Sequence, residues 1–248
     1  MKNTMIKMAT FAAVAATTLA TFAGGLYIVS GDITSTKAWY EDGTTGKFHI
    51  SGTLSQGAID DSANMTMLRV GAAVNTISDN AFKQCKKLAT VKLPNSVERI
   101  NAYGFQGCSA ITNMVIPNST TYIGNHAFNA CTRLNSLTLG QNLTFIGRGA
   151  FISCLITDVT IPDSVETMEY NVFYNCQSLT QVTFGNGISK LGENIFLNCN
   201  HLKNVTFANK TMDQVTNLVD NINGVKQYPW GLTTGCVIHC TDGDITLP

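Results

Sequence analysis

Cysteine is the residue type with the most reactive chemistry in this 248-residue chain, and most of it is periodic. Six of the eight cysteines lie three residues after a phenylalanine, and these pairs recur every 22 or 23 residues. The six phenylalanines are Phe82, Phe105, Phe128, Phe151, Phe173 and Phe196. Such thiols could form disulfides or bind a metal, but parallel side chains at equivalent positions suit the S–S dihedral poorly. We therefore expect a buried ladder of reduced thiols, in which Cys acts as a small hydrophobic residue.

Two further cysteines, Cys236 and Cys240, stand outside this period and flank His239. Together the three side chains hint at a metal site. In an extended strand, however, the two sulfurs would lie about 13 Å apart, so one shared ion or one disulfide would need a bent segment. Elsewhere no set of side chains combines a nucleophile, a base and an orienting group. We expect no catalytic residues, no metal and no cofactor.

Charge is scarce in this sequence. Charged residues make up 13%, and Lys+Arg and Asp+Glu balance at 16 each. The usual charged share is about 25%. Nucleic-acid binding needs a basic footprint, and anionic membranes attract basic segments, so both partner classes are disfavoured. The chain instead has 31 Thr and 23 Asn, which suits a surface that contacts other molecules.

The residues between the phenylalanines also repeat. Each unit contains an alternating apolar pair such as Val159 and Ile161, which is typical of a short strand, and Pro or Gly then ends it. The segment before each cysteine has the spacing of one helical or 3₁₀ turn. One unit cannot bury its apolar face alone, so neighbours must stack. The sequence predicts an α/β repeat solenoid, a right-handed coil of about seven units with a short parallel sheet and an internal phenylalanine column.

Two motifs give the repeat a family resemblance. Residues 159–165, Val-Thr-Ile-Pro-Asp-Ser-Val, and residues 123–128, Ile-Gly-Asn-His-Ala-Phe, resemble the unit of the BspA-like leucine-rich repeat family. The resemblance covers residues 68–207, and it departs from the commoner leucine-rich pattern at Ser96, Ser119 and Ser164, where Asn or Cys is usual. It implies a surface or secreted protein that acts in adhesion or protein binding and not in catalysis.

The flanks of the repeats predict four regions. Residues 1–23 read as a signal peptide, with Lys2 and Lys7 before an Ala-rich run and cleavage after Ala23. Because the uncharged stretch continues to Val29, an uncleaved anchor or a buried segment stays open. Residues 24–64 form an N-terminal β cap with a hairpin within 37–54, and residues 65–209 hold the repeats. Residues 210–248 form a second cap, with a helix from residue 212 to 222 that ends before Gly224 and a hairpin around residues 242–243.

Alternation along the strands predicts the partner-binding surface. Residues between and before each inward-pointing pair must point outward. The predicted site comprises Thr90, Lys92, Asn113, Ser136, Thr138, Asp158, Thr160, Gln181, Thr183, Asn204 and Thr206. Four of these threonines, from Thr138 to Thr206, are expected to form a ladder across four coils. Thr is also a favourable exposed strand residue, so its presence alone does not prove a binding role.

Two functions from different classes fit these sequence features. The first is a non-catalytic exported protein, secreted or at the cell surface, that binds a protein or glycan partner and meets a membrane only through an N-terminal anchor. The second is a structural protein that assembles with copies of itself, such as a coat or virion decoration protein. The oligomeric state of the purified protein distinguishes them, because ordered self-assembly favours the second.

Overall fold

The structure is a computed structural model that describes residues 66–70, 74–218, 230–232 and 234–246. It also describes the backbone of strands β1 (Ala20–Phe22), β2 (Leu26–Ile28) and β3 (Lys47–Phe48). β1 pairs antiparallel with β2, and β3 pairs parallel with β2 and with β4 (Met67–Arg69). The remainder of the predicted signal peptide and of the N-terminal cap, including its hairpin turn, lies outside the described residues.

Seven short strands, one per turn, form what we call the first row. Their starting residues are 22 or 23 positions apart, and neighbouring strands that pair do so in parallel. They are β4, β6 (Thr90–Lys92), β8 (Asn113–Val115), β10 (Ser136–Thr138), β12 (Asp158–Ile161), β14 (Gln181–Phe184) and β16 (Asn204–Phe207). The predicted strands and their parallel stacking are confirmed.

A second row of strands begins nine residues after each of the first six strands of the first row. It forms one continuous six-stranded parallel sheet. Its members are β5 (Thr76–Ile77), β7 (Arg99–Ile100), β9 (Tyr122–Ile123), β11 (Phe145–Ile146), β13 (Thr167–Met168) and β15 (Lys190–Leu191). The sequence did not predict this row, because a two-residue strand shows no alternation. The two rows give about six turns, where about seven were predicted.

Each turn of the solenoid closes through a segment that carries the Phe and the Cys. Residues two before and two after the Phe have positive φ, as His126 (φ 55°) and Ala130 (φ 60°) do around Phe128. Alternate amides close local turns, while those between donate to the next turn, as Phe128 N does to Ala150 O at 2.7 Å. The segment is therefore a series of tight turns and not the predicted helical turn, because left-handed residues end a helix.

Helix is confined, among the described residues, to α1 (Met212–Thr216). Thr211 caps it: its hydroxyl accepts from the Gln214 amide, and the Gln214 side chain accepts from the Thr211 amide. The rest of the predicted helix, with its stop at Gly224, lies outside the described residues. The described fold is consequently a mostly β solenoid, and the α/β class is not supported.

The core is a continuous column along the solenoid axis. All six repeat phenylalanines are buried, and their rings stack with centroids 5.1–6.1 Å apart and interplanar angles of 2–16°. Inward residues of both strand rows surround this column, such as Val159 and Ile123. The predicted aromatic column is confirmed, and it contributes stacking beyond simple area burial.

One turn is a residue shorter than the others. Four residues connect Cys131 to β10, but only Leu155, Ile156 and Thr157 connect Cys154 to β12. Ile156 is buried and Leu155 is 42% exposed. At this turn the first row is interrupted, since β10 and β12 share no ladder. A second interruption, between β6 and β8, has no counterpart in the length of the repeat.

The C-terminal end closes the solenoid with β strands. β17 (Val237–Cys240) pairs parallel with β16, and β18 (Gly243–Thr246) pairs antiparallel with β17. The predicted hairpin around residues 242–243 is present. Its addition to the first row was not predicted, because β17 begins 33 residues after β16 instead of 23.

Trp230 covers the end of the phenylalanine column. Its carbonyl accepts the Phe196 amide at 2.8 Å, as the Ile195 carbonyl accepts the Phe173 amide one turn earlier. The Trp230 ring is buried. At the next residue, Gly231 has φ +71°, and a Cβ atom there would lie 2.6 Å from the Leu197 Cα, so only glycine fits.

Replacement of Phe128 by Ala tests the column. Phe128 is fully buried between Phe105 and Phe151, so we expect Phe128→Ala to lower the free energy of unfolding by about 3–5 kcal/mol. Urea denaturation followed by circular dichroism measures this loss. Tyr170→Ala is the control, because Tyr170 is 48% exposed and should cost little. A loss below about 1 kcal/mol for Phe128→Ala would show that the ring is not part of a packed column.

Candidate interaction surface

The predicted site residues lie together on the outer side of the first row, which we call the strand face. All eleven are exposed or half-exposed, whereas the residues between them, such as Met114, Leu137 and Val182, are buried. The period of two in each strand produces this arrangement, because successive side chains point to opposite sides of a sheet. Whether the strand face binds a partner stays a prediction.

Two columns of side chains run across the C-terminal part of the strand face. In the first, Thr160 pairs with Thr183, and Thr183 with Thr206. In the second, Asp158 pairs with Gln181, which in turn pairs with Asn204. Residues in register on neighbouring parallel strands lie about 4.8 Å apart. The columns therefore present hydroxyl, amide and carboxylate groups at a regular spacing.

The predicted four-threonine ladder is shorter than expected. Thr138 belongs to the separate sheet of β8 and β10, where it pairs with Val115. The short connection before β12 interrupts the ladder between β10 and β12, so the continuous column begins at Thr160. A shift in pairing of this kind cannot be read from alternation within a single strand.

His239 extends the threonine column by one position, since it pairs with Thr206. Its Nδ1 lies 2.9 Å from Asp244 Oδ1, and its Nε2 lies 3.2 Å from Asn204 Oδ1. The sequence suggested His239 only as a metal ligand, so this role was not predicted. The available signal was the alternation of Cys236 and Ile238, which are buried, with the less buried Val237 and His239.

The chemistry of the strand face is hydrogen bonding. Its long charged members are few, with Lys92 near one end and Asp158 and Asp244 toward the other. Val115 is 55% exposed and adds one apolar contact point. Short hydroxyl and amide side chains dominate the rest, and they can both donate and accept. This arrangement can recognise polar surfaces but holds no nucleophile paired with a base.

The repeat cysteines are used inside the protein. Cys131 Sγ donates to Phe105 O, one turn earlier, at 3.2 Å, and the same carbonyl accepts the Cys108 amide. Equivalent thiol bonds of 3.0–3.3 Å occur at Cys108, Cys154, Cys176 and Cys199. Burial raises the pKa of Cys131 to about 12 and that of Cys154 well above its ordinary value. These thiols are unsuited to nucleophilic chemistry, which requires the thiolate.

The possible metal site near the C-terminus does not assemble. Cys236 is buried, which raises its pKa to about 11, whereas Cys240 is only half-buried. His239 directs its ring nitrogens to Asn204 and Asp244. Within the described residues, no group of three or more His, Cys, Asp or Glu side chains could hold a metal ion. The same part of the chain contains no helix with the length and apolar character needed to cross a membrane.

The stacked strand rows, the buried Phe–Cys turn and the exposed strand face define a leucine-rich-repeat solenoid. The profile of the BspA type leucine-rich repeat region matches the chain in six copies, over residues 52–180 and 98–222. The protein therefore belongs to the BspA type leucine-rich repeat family. A comparison with curated proteins gives no match.

Several solved structures resemble this fold. The leucine-rich repeat protein of T. pallidum is 26% identical, with a TM-score of 0.57, over 67% of this chain and 78% of that protein. A leucine-rich cell surface protein of Faecalibacterium prausnitzii is 16% identical, with a TM-score of 0.46, over 77% and 68%. The pneumococcal vaccine antigen PcpA is also 16% identical, with a TM-score of 0.48, over 77% and 69%.

Native thiol labelling tests the cysteine ladder. We expect a maleimide reagent to modify only Cys240, because it is the least buried of the eight thiols, and to modify the others after unfolding in urea. Burial and the nearby Asp242 and Asp244 raise the pKa of Cys240, so its reaction should be slow. Peptide mass spectrometry locates the label. Rapid native modification of Cys131 or Cys154 would contradict a buried ladder.

Proposed function

We propose that this protein is a non-catalytic interaction protein that is exported, acts outside the cell or at its surface, and binds a protein or glycan partner through the strand face. Membership of the BspA type repeat family supports the interaction class. The observation that carries the choice of surface is the pair of continuous columns, Thr160 to His239 and Asp158 to Asn204, on the exposed side of a sheet whose other side is buried.

The rigidity of the strand face supports binding. Its backbone is fixed by the parallel ladders, and its threonines and asparagines have little rotamer freedom to lose on contact. A solenoid also offers an extended surface without forming a pocket. The carboxamides of Gln181 and Asn204 each contain a carbonyl acceptor and an NH₂ donor, which suit peptide groups and sugar hydroxyls alike.

Charge introduced into the threonine column should abolish binding. Thr160→Lys with Thr183→Lys places like charges about 5 Å apart on the strand face and leaves the core intact. Glycan and protein arrays identify a binder, and biolayer interferometry then compares the variants. We expect at least about a tenfold loss of affinity, because the ammonium groups cover the hydroxyl column and stay solvated.

The matched control is Thr121→Lys with Thr144→Lys. These two exposed threonines are also one turn apart, but they lie just before the second strand row. The control variant should bind like the wild type, and both variants should keep nearly the same melting temperature. Equal affinity of the strand-face variant and the wild type would exclude this face as the site.

Export predicts a processed N-terminus. The basic residues Lys2 and Lys7, the Ala-rich run and the small residues before Gly24 support cleavage after Ala23. N-terminal sequencing of the protein from its native source should therefore begin at Gly24. A mature chain that begins at Met1 in a cytoplasmic fraction would refute the proposed export, and one that begins at Met1 in a membrane fraction would favour the anchor.

A further inference from the structure

Charge is distributed unevenly along the solenoid axis. Among the described residues, positions 79–148 contain seven basic and two acidic side chains. Positions 158–218 and 241–246 contain three basic and eight acidic side chains. The first half of the solenoid is therefore positive and the second half negative, although the whole chain has a formal net charge of zero.

The same gradient is present on one particular surface, which we call the turn face. It comprises the exposed side chains of the six turn segments, residues 78–87, 101–110, 124–133, 147–155, 169–178 and 192–201. Exposed Lys86 and Arg133 lie in its first and third segments, and half-exposed Glu169 and Glu193 lie in its fifth and sixth. One end of the turn face is thus basic and the other acidic.

The turn face also contains most of the exposed apolar surface. Four large hydrophobic side chains are exposed among the described residues, and three of them, Leu155, Tyr170 and Leu197, lie on this face. Leu155 occupies the fourth segment, between Arg133 and Glu169 along the axis. The face therefore has an apolar point between a basic and an acidic end.

We propose that the turn face binds a second copy of this chain in an antiparallel, two-fold arrangement. A two-fold axis near Leu155 places Leu155 against its own counterpart. It also places Arg133 opposite Glu169 of the second copy, since each lies one turn from Leu155. A self-complementary patch of this kind is what a two-fold interface requires. In a parallel arrangement, by contrast, like charges would face each other.

The pattern of charge selects a second copy over another occupant. A uniformly basic or acidic partner would match one half of the turn face and be repelled by the other. A second copy in antiparallel orientation matches both halves. The absence of net charge removes the long-range repulsion that would otherwise separate identical chains. This interface is distinct from the strand face of the proposed function and does not depend on it.

Sedimentation equilibrium of the full chain tests the proposal. At 50 mM NaCl we expect a monomer–dimer equilibrium, and at 500 mM NaCl a dissociation constant at least about tenfold higher, because salt screens exposed charges. A monomer at 100 µM protein and 50 mM NaCl would overturn the proposal. So would assembly that continues beyond the dimer, because a closed two-fold pair leaves no free turn face.

Charge reversal separates the interface from effects on folding. Lys86→Glu with Arg133→Glu should prevent dimerisation, and so should Glu169→Lys with Glu193→Lys, since each places like charges in contact. Mixing the two variants should restore a heterodimer, because every contact is again complementary. Failure of the mixture to associate, while each variant alone stays folded and monomeric, would overturn the antiparallel arrangement.

Two apolar substitutions complete the test. Leu155→Ser should raise the dissociation constant at least about fivefold, because it removes the apolar contact at the axis. Val115→Ser is the matched control: Val115 is equally apolar and exposed but lies on the strand face. The strand-face variant Thr160→Lys, Thr183→Lys should dimerise like the wild type. Equal effects of Leu155→Ser and Val115→Ser would refute the assignment to the turn face.

Discussion

The structure depends on one junction that repeats at every phenylalanine. The Phe128 ring stacks between Phe105 and Phe151, its amide donates to Ala150 in the next turn, and its carbonyl accepts the thiol of Cys154. Stacking, an amide bond and a thiol bond thus link each turn to its neighbours at one residue. A shift of a single residue within the turn segment would break all three links, so the spacing there is constant. The one missing residue of the 22-residue unit lies outside the junction, between Cys154 and β12.

Stacking of equivalent positions also accounts for the composition. A charged residue repeated in every unit would stand about 5 Å from its copies, and like charges at that distance repel. Neutral side chains can instead bind the adjacent turn. Ser96 and Ser119 donate to carbonyls one turn earlier at 2.7 and 2.8 Å, and Asn125 Oδ1 accepts the Arg148 amide at 3.0 Å. The serines that depart from the commoner leucine-rich pattern therefore have a structural function, and few positions are left for charge.

The sequence predicts whatever is periodic in this protein and little of what is not. The phenylalanine column, the first strand row and the outward set of side chains follow from a 23-residue period and a two-residue alternation. The second strand row escaped prediction because its strands have two residues each. The left-handed turn positions escaped because residues as different as Tyr103, His126 and Asn171 occupy them. Trp230 and His239 escaped because they lie 34 and 33 residues after their equivalents, Phe196 and Thr206, so no constant spacing marks them.

The shortened unit connects the two surfaces of the solenoid. Removal of one residue after Cys154 still allows Ile156 to fill the buried position that Leu134 occupies one turn earlier, so the core is preserved. The cost is borne at the surface, where the ladder between β10 and β12 is lost and Leu155 stays exposed. The strand face is thereby divided into sheets, and the turn face gains an apolar point between its basic and acidic halves. In a regular solenoid every turn presents an equivalent surface, so an irregular unit is what gives one position along the axis a distinct role.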